Sequence, residues 1–129
     1  MKKLVIILML SYLSLTINSA AEADNSDEKI LKIGVLVPLS GENQEIGKSV
    51  LKAAQLALFD IGDKNIKILP KDSASNPNDT YSSAMQLKSL GVKVVIGPIF
   101  HENLKKLNEI DGITFISLTN KTENLPKNT

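Results

Sequence analysis

The segment IGVLVPLSG, residues 33–41, is an apolar run that ends in Pro38-Leu39-Ser40-Gly41. A continuous apolar run of this kind is typical of a strand buried on both faces of a parallel sheet. The proline and glycine behind it favour a tight turn that leads to a helix, and ligands of parallel α/β sheets are usually held at such turns. Residues 33–41 therefore predict the first strand and turn of an α/β fold.

The residues before this segment indicate export. Lys2 and Lys3 precede an apolar stretch from Leu4 to about Ile17, and the small-residue string Ser19-Ala20-Ala21-Glu22-Ala23 follows it. These are the three regions of a secretory signal, with cleavage after Ala21 or Ala23. A permanent membrane anchor is the alternative, but about 14 apolar-biased residues fall short of the ~20 that span a bilayer. We assign residues 1–23 to a cleaved signal peptide and expect a periplasmic or secreted protein that meets the membrane only through that signal.

Composition excludes several classes of site. The chain has no cysteine, so it has neither disulfides nor a lipid-modified cysteine, and it is not a lipoprotein. Without Lys2 and Lys3, 13 lysines face 13 or 14 acidic residues, depending on the cleavage site. A balanced charge scattered along the sequence predicts no nucleic-acid partner and no polybasic patch for anionic lipid.

Apolar strands and helical stretches alternate after a mobile lead-in at residues 24–29. The strands are expected near residues 31–38, 66–69, 92–97 and 113–118, and the helices near 45–61, 77–90 and 102–110. Strict alternation predicts an α/β fold with a Rossmann-like parallel sheet and helices on both faces. We assign residues 30–129 to one such domain.

The helices have recognisable ends and apolar sides. The first is expected to turn an apolar stripe to the sheet and to end at Gly62, and the second to be capped by Asn76, to begin at Pro77 and to stop at Gly91. The residues expected to face the sheet are Ile46, Val50, Ala53, Ala54, Ala57, Leu58 and Ile61 in the first helix, Tyr81, Ala84, Leu87 and Leu90 in the second, and Leu104, Leu107 and Ile110 in the third.

Polar side chains follow each predicted strand, where the carboxyl ends of parallel strands meet. They come from four segments, residues 38–43, 72–78, 97–103 and 117–122. The candidate ligand-binding residues of this rim are Ser40, Ser73, Phe100, His101, Ser117 and Thr119. The alternative is that Ser40, Asn76 and Asn103 only cap helices and that Asp72 only ends a strand.

The sequence gives little support for an enzyme, and we expect none. His101 is the only histidine and no Gly-x-Ser-x-Gly turn is present, so a serine triad lacks its usual pattern. No glycine-rich phosphate-binding motif follows a strand. A single histidine near Asp72 or Glu102 is insufficient for a metal site. We expect neither a metal nor a cofactor.

Several motifs together resemble the start of type I periplasmic binding proteins, the superfamily of leucine-binding-protein-like domains. They are Lys32 to Gly41, Ile46-Gly47, Leu56-Ala57-Leu58-Phe59-Asp60, Asp72, Asn76-Pro77 and Val94 to Phe100. Within that superfamily, the Ala-Leu-Phe-Asp helix end and the Gly-Pro-Ile-Phe turn are most similar to penicillin-binding protein activators.

The resemblance implies two lobes that close over a small ligand without chemistry. Amino-acid-binding members typically place small hydroxyl residues just after the third strand and a hydroxyl residue after the fourth. The first place here reads Phe100-His101-Glu102, and the second reads Ser117-Leu118-Thr119. The departure at the first place favours an activator-like regulator of peptidoglycan synthesis, with a peptidoglycan synthase as partner. The alternative is the substrate-binding component of an uptake transporter for branched-chain or other amino acids, with a permease as partner and a small polar ligand.

The resemblance covers only the start of the first lobe. We therefore expect an incomplete lobe, which is a fragment, a truncated reading frame or a domain that needs a partner, and a remnant without function is a third possibility. The fourth strand is expected at an unprotected sheet edge, which invites pairing with another chain.

Overall fold

The computed structural model describes residues 29–121 and 123–129. The predicted signal peptide and residues 24–28 of the lead-in lie outside the described residues. Four strands form one parallel sheet: β1 (Leu31–Val37), β2 (Ile66–Asp72), β3 (Val94–Ile96) and β4 (Thr114–Ile116). The α-helices are α1 (Gln44–Ile61), between β1 and β2, and α2 (Pro77–Ser89), between β2 and β3. This confirms the predicted α/β fold class.

The strand order is β2-β1-β3-β4. The chain moves to one side of β1 through α1 and returns to its other side through α2. Because crossovers between parallel strands are right-handed, this reversal places the two helices on opposite faces of the sheet. Because all four strands are parallel, their carboxyl ends lie at one edge of the sheet and their amino ends at the opposite edge.

The core lies on the α2 side of the sheet. Gly34 of β1 turns its α-hydrogen towards this side, where a Cβ would stand 2.8 Å from Leu87 and 2.9 Å from Val95. The fully or almost fully buried residues of this cluster are Leu36, Ala84, Leu87, Val92, Val95, Leu104, Leu107, Ile110, Ile113 and Phe115. Since α2 packs into that cluster, its predicted inward residues Ala84 and Leu87 are buried, whereas Leu90 is exposed.

Helix α1 is less covered than its apolar stripe predicts. Val50, Ala54 and Leu58 are half-buried, but Ile46 and Ile61 are exposed. The only buried residue of α1 is Gly47, whose missing side chain leaves room for the Pro38 carbonyl oxygen. Helix α1 packs on β1 and β2. These two strands cover only the middle of its apolar stripe, so the ends of the stripe, at Ile46 and Ile61, are exposed.

The helix ends follow the prediction. The Asn76 side chain accepts a hydrogen bond from the Asp79 backbone N–H at 2.9 Å, and Pro77 is the first helical residue of α2. Gly62 ends α1 in the left-handed conformation, with φ of 67°.

The third predicted helix is wrong in type. Residues 102–110 form two short 3₁₀ turns, His101–Leu104 and Leu107–Glu109, in place of one α-helix. Leu104, Leu107 and Ile110 are all buried as predicted. Their spacing of three matches the three residues per turn of a 3₁₀-helix, in which such side chains stack on one side.

The edge of β4 is partly occupied by the chain itself. The Phe115 N–H donates to the Asn128 carbonyl oxygen at 2.8 Å. The Asn128 side chain donates to the carbonyl oxygens of Leu107 and Ile110, both at 2.9 Å. The edge expected to be unprotected is therefore covered at Phe115.

Candidate functional site

Two loops at the carboxyl edge are joined through Asp72, the last residue of β2. Its carboxylate accepts hydrogen bonds from the Leu39 N–H at 2.7 Å, the Ala74 N–H at 2.8 Å and the Ser40 hydroxyl at 2.6 Å. A carboxylate is suited to this place because it accepts several bonds at once and charge-assisted bonds are the stronger ones. The loop after β1 is thus fastened to the loop after β2.

These hydrogen bonds also change the acidity of Asp72. Partial burial raises the pKa of the Asp72 carboxyl, but the bonds from Ser40, Leu39 and Ala74 lower it by more, so the pKa lies below its ordinary value. Hydrogen bonds to the charged form of a carboxyl favour that form. Asp72 is therefore an ionised structural acceptor at neutral pH.

The turn behind Asp72 has a constrained backbone. Ala74 and Ser75 have positive φ angles of 44° and 57°. Residues other than glycine rarely adopt this backbone conformation. The Asn43 side chain donates to the Ser75 hydroxyl at 3.2 Å. Ser73 is fully buried, and its hydroxyl has no hydrogen-bond partner among the described residues.

The loops after β3 and β4 form a second group. The peptide bond between Gly97 and Pro98 is cis. The Pro98 carbonyl oxygen accepts from the Ser117 hydroxyl at 3.2 Å and from the Leu118 N–H at 3.0 Å. The Ser117 hydroxyl in turn accepts from the Thr119 N–H at 3.3 Å. The Ser117 hydroxyl and the Leu118 N–H thus join the loop after β4 to the loop after β3.

Phe100, His101 and Glu102 follow this turn. Phe100 and His101 are half-buried, while Glu102 is exposed and forms an ion pair with Lys105. The hydrogen bond and charge of Lys105 hold the pKa of the Glu102 carboxyl below its ordinary value, with smaller contributions from Lys121 and His101.

Two shallow grooves open beside His101. One, of about 310 Å³, is lined by His101, Leu104, Lys105, Asn108, Asn124 and Pro126. The other, of about 320 Å³, is lined by His101, Asn120, Lys121, Glu123 and Asn124. Neither groove is lined by the serine and threonine candidates of the rim.

The six candidates therefore fall into two groups. Ser40 and Ser73 lie around Asp72, and Phe100, His101, Ser117 and Thr119 lie around the Gly97-Pro98 turn. In the part of the chain that the structure describes, no hydrogen bond joins the two groups. The alternative that Ser40 caps a helix is wrong, because its hydroxyl bonds Asp72.

The sequence predicts for Asn103 only the role of a helix cap. It is almost completely buried, and neither its Nδ2 nor its Oδ1 has a hydrogen-bond partner among the described residues. No sequence signal marks it, since asparagine is ordinarily an exposed residue.

The described residues contain no group of three or more His, Asp or Glu side chains able to hold a metal ion. No helix within residues 29–121 and 123–129 has the length and apolar character needed to cross a bilayer.

Comparison with known proteins identifies relatives of this fold. The sequence profile of a family described as periplasmic binding protein matches residues 30–128. Among curated protein sequences, none matches this chain.

Three solved structures are informative. The leucine-binding protein LivK from Thermotoga maritima is 16% identical with a TM-score of 0.65 over 71% of this chain, a similarity of fold alone. The C-domain of LpoA from Haemophilus influenzae, a regulator of PBP1A, is 29% identical with a TM-score of 0.56 over 73% of this chain. A solute-binding protein from R. palustris in complex with benzoate is 27% identical with a TM-score of 0.56 over 67% of this chain. This chain spans 29%, 29% and 26% of those three structures, respectively.

Proposed function

This chain belongs to the periplasmic binding protein family, and from that premise we propose that it is an exported, non-catalytic protein that contacts and stimulates a peptidoglycan synthase. The observation that carries the proposal is that two of the three rim serines, Ser40 and Ser117, use their hydroxyl protons within the protein, while the third, Ser73, is fully buried. The Ser40 hydroxyl bonds Asp72, and the Ser117 hydroxyl bonds the Pro98 carbonyl oxygen. A hydroxyl already bonded to a protein acceptor donates nothing to a small ligand.

The residues after β3 support the same function. Phe100, His101 and the exposed Glu102 stand where amino-acid-binding relatives are expected to carry small hydroxyl residues. The half-buried ring of Phe100 suits contact with another protein, because aromatic residues are enriched at protein interfaces, and the exposed Glu102 would lie at the polar rim of such a contact. The similarity to the LpoA C-domain agrees with this class of partner.

The test is the glycan-polymerising rate of a purified peptidoglycan synthase from the same organism, with and without this protein. We expect the rate to rise on addition, and Glu102→Gln to weaken the stimulation by about fivefold, as for an interface residue worth ~1 kcal/mol. The matched control is Glu109→Gln, an exposed carboxylate on the second 3₁₀ turn. A rate unaffected by the wild-type protein contradicts the proposal.

The second candidate function is substrate capture for an ABC transporter. The unpartnered amide atoms of Asn103 favour it, and a polar ligand would reach them only after a local opening, because both atoms are closed to solvent. The benzoate-bound relative belongs to this class. Thermal-shift measurements with free amino acids and with benzoate distinguish the two functions, since a ligand of the native state at a hundredfold excess over its Kd adds about 2.7 kcal/mol of stability. A saturable shift that Asn103→Leu abolishes favours the transporter function over the regulator.

A further inference from the structure

Lysines line up across the amino edge of the sheet. Lys32 of β1 and Lys67 of β2 are direct partners in the parallel register. Lys93 stands level with Lys32 on the other side, because Ile33 pairs with Val94, the next residue. All three lie on the α2 face, and the Lys32 amino group donates to the Leu90 carbonyl oxygen at 2.9 Å. We call Lys32, Lys67 and Lys93 the lysine row.

More lysines reach the same edge because both helices end there. Lys29 precedes β1, Lys64 precedes β2 and Lys88 lies in the last turn of α2. Among the described residues, the acidic side chains of this edge are fewer: Asp60, Asp63 and Asp111. The two ion pairs within the described residues, Lys48–Glu45 and Lys105–Glu102, both lie elsewhere. Six lysines and three aspartates give the part of this edge within residues 29–121 a formal charge of +3.

Large apolar side chains are exposed among these lysines. Phe59 and Ile61 at the end of α1 are 82% and 63% exposed, and Ile30 before β1 is 50% exposed. Leu31 and Leu90 are also exposed at this edge. Basic side chains interspersed with exposed aromatic and aliphatic ones are the composition of surfaces that lie on a lipid bilayer.

We propose that the amino edge of the sheet binds the headgroup surface of an anionic phospholipid bilayer. The lysines supply attraction to negatively charged lipid, and Phe59 and Ile61 supply apolar contact below the headgroups. An acidic protein segment would satisfy the lysines but not these two residues. The proposal is independent of the proposed function.

The experiment is cosedimentation of the exported protein with vesicles of phosphatidylcholine, with and without a third of phosphatidylglycerol. We expect binding only to the anionic vesicles, and we expect it to fall as salt screens the charges. Combined Lys64→Gln, Lys67→Gln and Lys93→Gln substitutions are expected to weaken binding by about tenfold or more. Phe59→Ser is expected to weaken it as well, without a change in Tm, because the Phe59 side chain is largely exposed.

The matched control removes the same charge elsewhere, by Lys52→Gln, Lys106→Gln and Lys121→Gln, and is expected to leave vesicle binding unchanged. An equal loss of vesicle binding in both triple variants would show that only the net charge matters, and it would overturn the proposal. Binding to polyglutamate without binding to vesicles would also overturn it, in favour of an acidic protein partner. So would vesicle binding that appears only after Asp24, Asp27 and Glu28 are neutralised.

Discussion

Asp72 has three hydrogen-bond donors around one carboxylate, and its replacement separates their contributions. Asp72→Ala leaves the Leu39 and Ala74 N–H groups without their acceptor, and we expect a loss of about 2–3 kcal/mol in the free energy of unfolding. Asp72→Asn retains an acceptor oxygen for both N–H groups, and the Ser40 hydroxyl then accepts from the new amide. We expect Asn to cost about 1 kcal/mol. Urea unfolding measures both, and equal losses for Ala and Asn would contradict the assignment.

The lowered pKa of Asp72 predicts a pH dependence with a definite sign. Since the folded-state pKa lies below the unfolded value, the ionised carboxyl contributes stability that is fully present above the unfolded pKa, about 4. That stability is lost as the pH falls through the folded pKa. We expect wild type and Asp72→Asn to differ in stability by a constant amount between about pH 5 and 7, and to converge in more acidic solution. Unfolding curves at several pH values check this.

Gly47 stabilises the fold even though glycine has a low helix propensity. Alanine ordinarily stabilises a helix by about 1 kcal/mol relative to glycine. A Cβ at residue 47 would overlap the Pro38 carbonyl oxygen, which is backbone and has little freedom to move. We therefore expect Gly47→Ala to lower Tm, whereas Lys52→Ala on the exposed side of α1 leaves Tm nearly unchanged. A higher Tm for Gly47→Ala would show that α1 shifts without cost.

At the scale of elements, the strands and two α-helices were predictable and the third helix was not. Buried parallel strands read as apolar runs, and α2 carries an Asn-Pro start, so local sequence and tertiary structure agree there. For residues 102–110 the apolar spacing of three was consistent with one face of an α-helix. The same spacing fits a 3₁₀ turn better, but propensity favours an α-helix and only the packing of Leu104 and Leu107 decides between them.

The candidate site was predictable to a similar degree. Parallel topology is enough to place the loops after the strands at one edge, and the Ser117 hydroxyl does reach Pro98 of the neighbouring loop. What the sequence does not contain is the partner of each polar group. The sequence predicts that the Ser40 hydroxyl is available to a ligand, whereas in the fold it donates to the Asp72 carboxylate. Asn103 resembles a cap, and the fold buries it.

The segment that covers β4 gives a prediction for an element. Asn128→Ala removes two hydrogen bonds to the carbonyl oxygens of Leu107 and Ile110, and we expect a loss of about 1–2 kcal/mol. The Phe115 N–H, which donates to the Asn128 backbone, is expected to exchange with solvent faster in this variant. Lys127→Ala is the control, because its side chain is exposed and its backbone bond to Asn108 remains. Unchanged exchange at Phe115 would mean that the Asn128 side chain does not hold this segment.

At the scale of the molecule, the fold brings together lysines that are dispersed along the sequence. Lys32, Lys67 and Lys93 are far apart in sequence, and the register makes neighbours of them. The expectation of no basic patch therefore does not carry over to the folded chain, because linear charge patterns contain no information about which strands pair.

This arrangement predicts a salt-dependent stability. Like charges directly opposite each other on neighbouring strands are destabilising, by roughly 0.2–1 kcal/mol per pair. We expect Lys67→Glu to raise the free energy of unfolding by about that amount in low salt, because Lys32 then faces an opposite charge. The gain should vanish near 1 M salt, where the Debye length is only about 3 Å. A gain that persists there would have a cause other than charge.

A parallel sheet also gives the molecule two chemically different poles. The hydroxyl and carboxylate groups of Ser40 and Asp72 lie at one pole, and the lysine row lies at the other. Five residues along β1, from Lys32 to Val37 beside Asp72, separate them, which is about 16 Å at ~3.3 Å per residue. A partner at one pole leaves the other uncovered, so the proposed contact with a bilayer at the lysine row would not compete with a partner bound at the carboxyl edge.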